Sequence, residues 1–201
     1  MPATFEGLKL YTIGHSNHPI ERFLDLLRKH EITALADVRS QPYSRFNPQF
    51  NQDRLRASLA RVGIAYVYMG RELGARPSGT SAMENGRVSY ELLAQRPEFQ
   101  AGLGRVTEGA AKYRLALLCA EKDPIDCHRM ILVAKHLRSP NAKIVHILAD
   151  GTVESNESAE RRLLERHKLQ PNLFEDEAAL IERAMRGKPR RSPSNRPQKQ
   201  R

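Results

Sequence analysis

The chain has 201 residues and a formal net charge of +10, from 33 Lys+Arg against 23 Asp+Glu. That length is enough for one full domain with a sizeable core. No run approaches the ~18 apolar residues of a membrane span, so no membrane partner is expected. The N-terminal segment MPATFEGLK lacks the apolar core of a secretory leader. Two cysteines and no leader point to a cytoplasmic protein with reduced thiols. The segment Gly187–Arg201 carries Lys188, Arg190, Arg191, Arg196, Lys199 and Arg201 and no acid. It reads as a disordered basic tail, which leaves residues 1–186 as a single domain. A basic balance favours anionic partners, either an anionic small molecule or nucleic acid. The same composition also serves solubility alone.

In chain order, Leu8–Ile13 reads as a short strand that stops at Gly14-His15-Ser16-Asn17-His18. Pro19 suits a first helical turn, and Ile20, Phe23, Leu24 and Leu27 repeat at helical spacing. Thr33–Val38 is a second strand, apolar enough to be buried on both faces. It runs into Arg39-Ser40 and a proline- and aromatic-rich loop, Gln41–Phe50. Asn51 is a candidate cap for a helix bearing Leu55, Leu59 and Val62, which Gly63 ends. Ile64–Met69 is a third strand, leading into Gly70-Arg71-Glu72-Leu73-Gly74. Ala75–Gly86 is a polar excursion, expected to be mobile. Helices follow around Ser89–Gln95 and Glu98–Lys112, the second presenting Phe99, Leu103, Val106 and Ala110. Leu115–Cys119 is a fourth strand. After a polar loop, Met130, Val133, Ala134 and Leu137 mark the inner stripe of a helix. Lys143–Leu148 is a fifth strand, ending at Asp150. Helices around Glu157–His167 and Glu175–Arg186 close the fold.

Strands alternating with helices predict an α/β fold. The expected architecture is a mostly parallel five-stranded, Rossmann-like sheet with helices on both faces, C-terminal helices and the basic tail. In such sheets ligands bind outside the carboxyl ends of the strands. Each predicted strand here ends in polar residues, so one rim collects them: His15 and Ser16, Arg39 and Ser40, Arg71 and Glu72, Cys119 and Glu121, and Asp150.

Cys127 is the first candidate for chemistry. A cap at Ile125 or Asp126 places Cys127 and His128 in the first turn of a helix, where unpaired amides favour a thiolate. A nucleophile follows from that placement; a packed, inert cysteine is the alternative, because free Cys is among the most buried residue types. Val133 stands where the phosphatase CxxxxxR loop needs arginine. Cys119 reads as core or site wall, and a Cys119–Cys127 disulfide across the short loop is geometrically possible. Cys119, Glu121, Cys127, His128 and His15 are all zinc-type donors. Their spacing matches no strong zinc pattern, so no metal or cofactor is expected. Arg39, Arg71 and Arg129 are anion-binding candidates, with Gly14, Ser16, Ser40, Glu72 and His128 beside them. Arg45 reads as ordinary surface charge. His15 and Glu121 are candidate proton carriers, weighed against a structural histidine and a carboxylate paired with arginine. Tyr43 and Phe46 among Arg39 and Arg45 can stack bases or simply pack the loop.

Four motifs carry a resemblance: Thr12-Ile13-Gly14-His15-Ser16; Asp37-Val38-Arg39-Ser40-x-Pro42; Gly63-Ile64-x-Tyr66 leading to Glu72-Leu73-Gly74; and Leu118-Cys119-x-Glu121 with Cys127-His128-Arg129. In this order and spacing the chain resembles the domain of unknown function 488 family over roughly residues 10 to 150. The resemblance implies an α/β domain, bacterial or archaeal origin and a cytoplasmic location, and it implies no established reaction. The leading expectation is an enzyme acting on a phosphate-bearing or other anionic substrate, with Cys127 as nucleophile or anion-site thiolate, Arg39 and Arg129 holding the anion and His15 or Glu121 moving the proton. The alternative is a non-catalytic nucleic-acid-binding module.

Overall fold

A computed structural model describes residues 7–76, 82–84, 86–139, 142–172 and 174–185. The basic tail from Gly187, and most of the polar excursion after Arg76, lie outside the described residues.

The long apolar runs become a sheet. Strands β1 (Lys9–Gly14), β2 (Ala34–Asp37) and β3 (Ala65–Tyr68) come first in the chain. A small antiparallel hairpin, β4 (Met83–Glu84) and β5 (Arg87–Val88), follows. Strands β6 (Leu115–Cys119), β7 (Lys143–Ile147) and β8 (Val153–Ser155) complete the set. The main sheet has the order β3-β2-β6-β1-β7-β8. Its first five members are parallel, as the alternating pattern predicts.

The sixth strand, β8, is a correction to the expected five. It pairs antiparallel with β7. The chain reverses at Asp150-Gly151, where Gly151 takes φ 89, a conformation open to glycine at little cost. Asp150 Oδ1 accepts from the backbone N–H and the hydroxyl of Thr152 at 2.9 and 2.7 Å. Asp150 therefore braces a turn instead of joining a rim site.

Strand β6 is the centre of the sheet and is buried along its whole length. Its side chains alternate between two cores, as period-two geometry requires. Ala116 and Leu118 face one core with Phe23, Leu26 and Leu27 of α1 (Ile20–Lys29) and Leu55 and Leu59 of α2 (Gln52–Ala60). Leu115, Leu117 and Cys119 face the other. There they meet Leu73 of α3 (Gly70–Leu73), Leu93 of α4 (Tyr90–Ala94) and Phe99, Leu103 and Val106 of α5 (Pro97–Lys112). Helices thus cover both faces of the sheet.

The helix after β6 departs from the predicted α-helical stripe. Residues Arg129–Ala134 form a π-helix, and all of them except Ile131 are buried. One side, with Leu132, Val133 and Ala134, packs on the sheet-facing core. The other, with Met130, packs against α6 (Asn156–Arg166) and α7 (Glu177–Met185). A segment enclosed on two sides cannot keep a single apolar stripe. π-Helical turns are rare and concentrate at functional sites.

Candidate functional site

Strand β6 lies between β2 and β1, so the residues just past these three strands meet. The register puts Gly14 beside Cys119 and Asp37 beside Leu118. Beyond it, His15 N donates to Cys119 O at 2.9 Å, Ser16 N to Ala120 O at 3.0 Å and Val38 N to Leu118 O at 3.1 Å. Gly14 is glycine for want of space. A Cβ there would lie 1.8 Å from Glu121 O, so β1 can pass the loop after β6 only without a side chain.

The loop turns at Asp123, which caps a 3-10 turn over Pro124–Asp126 through Ile125 N at 3.2 Å. Cys127 follows in an extended conformation (φ −127, ψ 139). Its carbonyl accepts from Met130 N and Ile131 N, both at 3.1 Å. The helix therefore opens at Cys127, one residue after a cap at Asp126 and two after one at Ile125.

Four groups converge at this point. Cys119 Sγ donates to Glu121 Oε2 at 2.9 Å, and Cys127 Sγ lies 3.2 Å from the same oxygen. His128 Nδ1 is 3.5 Å from Cys119 Sγ and 4.0 Å from Cys127 Sγ. One ligand-capable atom from each of the four lies within 4.8 Å of those of the others. The two cysteines are free thiols and are buried, as is His128; Glu121 is half-buried. His128 Nε2 is 2.9 Å from Val38 O. A carbonyl only accepts, so Nε2 carries the hydrogen, and the Nδ1 lone pair of the neutral ring faces the sulfurs.

The cluster is electrostatically tight. Burial raises the Glu121 carboxyl, but the thiol hydrogen bonds of Cys119 and Cys127 outweigh it and bring it to about 2. Burial disfavours a thiolate at either sulfur. At Cys127 it is outweighed by a hydrogen bond from the Cys119 thiol, by the Arg129 guanidinium and by His128, and its pKa falls. At Cys119 burial is reinforced by Cys127 and by the Glu121 carboxylate, and the pKa rises. In the neutral cluster both thiols donate to Glu121. Cys127 is the first to lose its proton, after which Cys119 donates to it.

The other expected site residues fall into two groups. His15 and Arg39 adjoin the cluster but are bonded into the fold. Arg39 donates to Asp37 Oδ1 from Nε at 2.8 Å and to Oδ2 from Nη2 at 2.6 Å, and Nη2 also reaches Phe50 O at 2.9 Å. Its Nη1 lies 3.2 Å from His15 Nε2, while His15 Nδ1 donates to Ser16 O at 2.7 Å. Both ring nitrogens are thus engaged, and the ring stacks on Phe50 at 4.3 Å. Burial, aided by the Arg39 charge, lowers His15 to about 4. Arg129 is completely buried and holds the loop from beneath, through Glu121 O at 2.6 Å and Lys122 O at 3.2 Å.

The second group stands apart from the sulfurs. Ser40 Oγ accepts from Arg76 N at 2.9 Å, and Ser40 O accepts from Tyr68 OH at 3.1 Å. Gly70 and Gly74 pack α3 against this turn, since a Cβ on Gly70 would lie 2.0 Å from Arg39 O and one on Gly74 2.4 Å from Ser40 Oγ. Glu72 pairs with Arg105 of α5. Arg71 is exposed.

Sequence reasoning assigned no role to several residues that hold this site. Asp37 is fully buried and accepts from both Arg39 and Tyr66 OH, the latter at 2.8 Å. Thr12, His146 and Asn156 form a buried line behind Arg129. Arg129 Nε donates to Thr12 Oγ1 at 3.2 Å, Thr12 Oγ1 meets His146 Nδ1 at 2.8 Å, and His146 Nε2 meets Asn156 Oδ1 at 3.2 Å. A histidine inside the apolar run KIVHIL was the available signal, because buried polar side chains require partners.

Comparison with curated proteins and with solved structures returned no match. The family model described as Domain of unknown function DUF488 matches residues 19–136. That segment contains the Asp37–Pro42, Gly63–Gly74 and Leu118–Arg129 motifs, while Gly14-His15-Ser16 lies just before it. The match covers more than half of the chain, and the protein belongs to the DUF488 family.

Proposed function

We propose that the protein is an enzyme acting on a phosphate-bearing or other anionic substrate, with Cys127 as its reactive thiol. The observation that carries this reading is the convergence of Cys119, Glu121, Cys127 and His128 at the carboxyl end of the central strand, where parallel α/β sheets place their ligands. His128 Nδ1 is the base that faces sulfur. It takes the Cys127 proton, the thiolate attacks the electrophilic centre, and the leaving group departs with its bonding electrons and collects that proton. Glu121 is the cluster member with most exposure, so a substrate approaches past its carboxylate. Arg39 and Arg129 supply positive potential from within the fold. Lys122, exposed on the loop after β6, is a cation placed for direct contact with an anion there. His15 is a positioning residue in this reading, because its nitrogens are already bonded.

The test is a screen of phosphorylated and other anionic compounds with wild type and the Cys127→Ser variant, accompanied by alkylation of each cysteine against pH read by mass spectrometry. Turnover abolished in a variant with an unchanged circular dichroism spectrum supports the reading, as does protection of Cys127 by inorganic phosphate or nucleotides. Turnover unchanged by Cys127→Ser removes it.

A non-catalytic nucleic-acid-binding module is the second reading, and the loop beside the site favours it. Tyr43 is 58% and Phe46 86% exposed, with the Arg45 guanidinium 6.0 Å from the Phe46 ring centre. Exposed aromatics beside arginine suit base stacking. Binding should then weaken steeply with salt and fall when Phe46 is replaced by Ala.

A further inference from the structure

We infer that Cys119, Cys127, His128 and Glu121 form a binding site for a divalent transition-metal ion of the zinc class. The inference goes beyond the reactive-thiol reading, since a bound ion takes both sulfurs. A metal-loaded centre and a free Cys127 nucleophile are alternative states of the same four groups.

The first argument is geometric. Zinc prefers four tetrahedral donors of these types, with Zn–S ~2.3 Å and Zn–N ~2.0–2.1 Å. Such a tetrahedron has sulfur–nitrogen edges of about 3.6 Å, taken from those bond lengths. The His128 Nδ1 distances to the two sulfurs are 3.5 and 4.0 Å. The carboxylate–sulfur edges, 2.9 and 3.2 Å, are shorter because thiol hydrogens bridge them; they lengthen when those protons leave.

The second argument is orientation. A ligating histidine usually donates its other ring N–H to a carbonyl or carboxylate, which sets the tautomer. His128 does so through Nε2 to Val38 O at 2.9 Å, leaving Nδ1 directed at the sulfurs. The backbone carrying the donors is held in advance. Cys119 ends a fully buried strand. Glu121 sits on a loop fixed by Arg129 and by the close approach of Gly14, and Cys127 lies between a 3-10 turn and the π-helix.

The third argument is charge. With both thiols protonated, the Glu121 carboxylate and the buried Arg129 guanidinium balance. Two thiolates and the carboxylate carry three negative charges, and a divalent ion with Arg129 supplies three positive ones. Binding therefore exchanges the cluster's two dissociable protons, carried by the thiols or by His128, for one divalent cation, with no change in net charge and no electron transfer. His15, a fifth donor by type, is not in the set, because its nitrogens bond Arg39 and Ser16 O.

The experiment uses the full-length wild-type protein, reduced and stripped with chelator, titrated with Co²⁺ and then Zn²⁺. The expected result is a saturable single equivalent with a sulfur-to-cobalt charge-transfer band, release of two protons per ion at neutral pH, and loss of the band as Zn²⁺ displaces Co²⁺. Alkylation of both cysteines should be blocked in the loaded protein and restored by chelation. Cys119→Ser and His128→Gln should each weaken Co²⁺ affinity by roughly a hundredfold or more, beyond the usual effect of disturbing an outer-shell partner. A stripped wild type with native circular dichroism that shows no saturable cobalt–sulfur band overturns the inference. So does a band that survives both substitutions. The outcome is separable from that of the proposed reaction, because turnover of the metal-free protein and its loss in Cys127→Ser are read without any metal.

Discussion

Arg129 donates to the backbone carbonyl of Glu121 at 2.6 Å while wholly enclosed by protein. The arginine of the Cys-His-Arg motif therefore works on its own chain: it buckles the loop after β6 onto the helix that carries Cys127 and His128. Replacing it removes the guanidinium donor from the carbonyls of Glu121 and Lys122. A buried group stripped of its partner costs about 1–3 kcal/mol. Arg129→Met is accordingly expected to lower stability by about 3 kcal/mol or more in urea unfolding, with Arg129→Lys recovering only part of it. Equal stability of wild type and Arg129→Met would refute the buckle.

Glycine substitutions separate space from helix propensity. Gly14→Ala drives a methyl group onto Glu121 O, 1.8 Å away. We expect it to destabilise by about 3 kcal/mol, at the upper end for overpacking, and to displace Glu121 from the sulfurs. Gly104, exposed within α5, has nothing within 4 Å of an added Cβ. Gly104→Ala should stabilise by about 0.5–1 kcal/mol. Thermal unfolding of the two variants checks both signs.

The Asp37–Arg39 pair is buried on both sides. Asp37→Asn leaves a guanidinium without its counter-ion, at an expected cost of about 3–5 kcal/mol. Removing both charges, in Asp37→Asn with Arg39→Met, should cost less than the sum of the single changes. A double-mutant cycle in urea measures that coupling.

Acid sensitivity follows from the buried histidines. Burial, with the Arg129 charge beside it, lowers His146 from 6.5 to about 3. Burial and Arg39 lower His15 to about 4. Both are neutral in the folded protein at pH 7, and in the unfolded chain both take up a proton near pH 6.5. The stability they contribute is complete above pH 6.5 and is lost as pH falls, towards 4 for His15 and towards 3 for His146. Each contributes a slope of about 1.4 kcal/mol per pH unit within its window. Chemical unfolding measured from pH 7.5 to 4.5 should show this loss, and His146→Gln should flatten it. A slope identical in wild type and His146→Gln would exclude His146 as its source.

Reading the chain alone went far with the fold, for identifiable reasons. The runs around Tyr11, Leu35, Val67, Leu117 and Ile144 are apolar and short, and helical spacing separates them, so strands buried in a parallel sheet follow. Phe23 and Leu27 on α1, and Phe99, Leu103 and Val106 on α5, are where periodicity predicts. The antiparallel β8 was missed because its residues, Val153–Ser155, carry no apolar alternation; a turn at Gly151, with edge pairing, makes the strand. The π-helix was missed because an apolar stripe at Met130, Val133 and Ala134 suits an α-helix equally well, and only enclosure by α6 and α7 distinguishes the two.

Glu121, Cys127 and His128 were legible in the sequence as separate candidates, and Cys119 only as core or site wall; a strand end, a short loop and a helix start bring the four near one another by local connectivity. The roles of the arginines depended on the tertiary structure. Whether Arg39 and Arg129 meet a ligand or the protein's own carboxylate and carbonyls turns on how the fold turns Asp37, Phe50 and the 120–122 loop towards them. The strand order decided the rest. With β6 between β1 and β2, Val38 O reaches His128 across the sheet and directs its second nitrogen at two thiols, an arrangement set by which strands are neighbours.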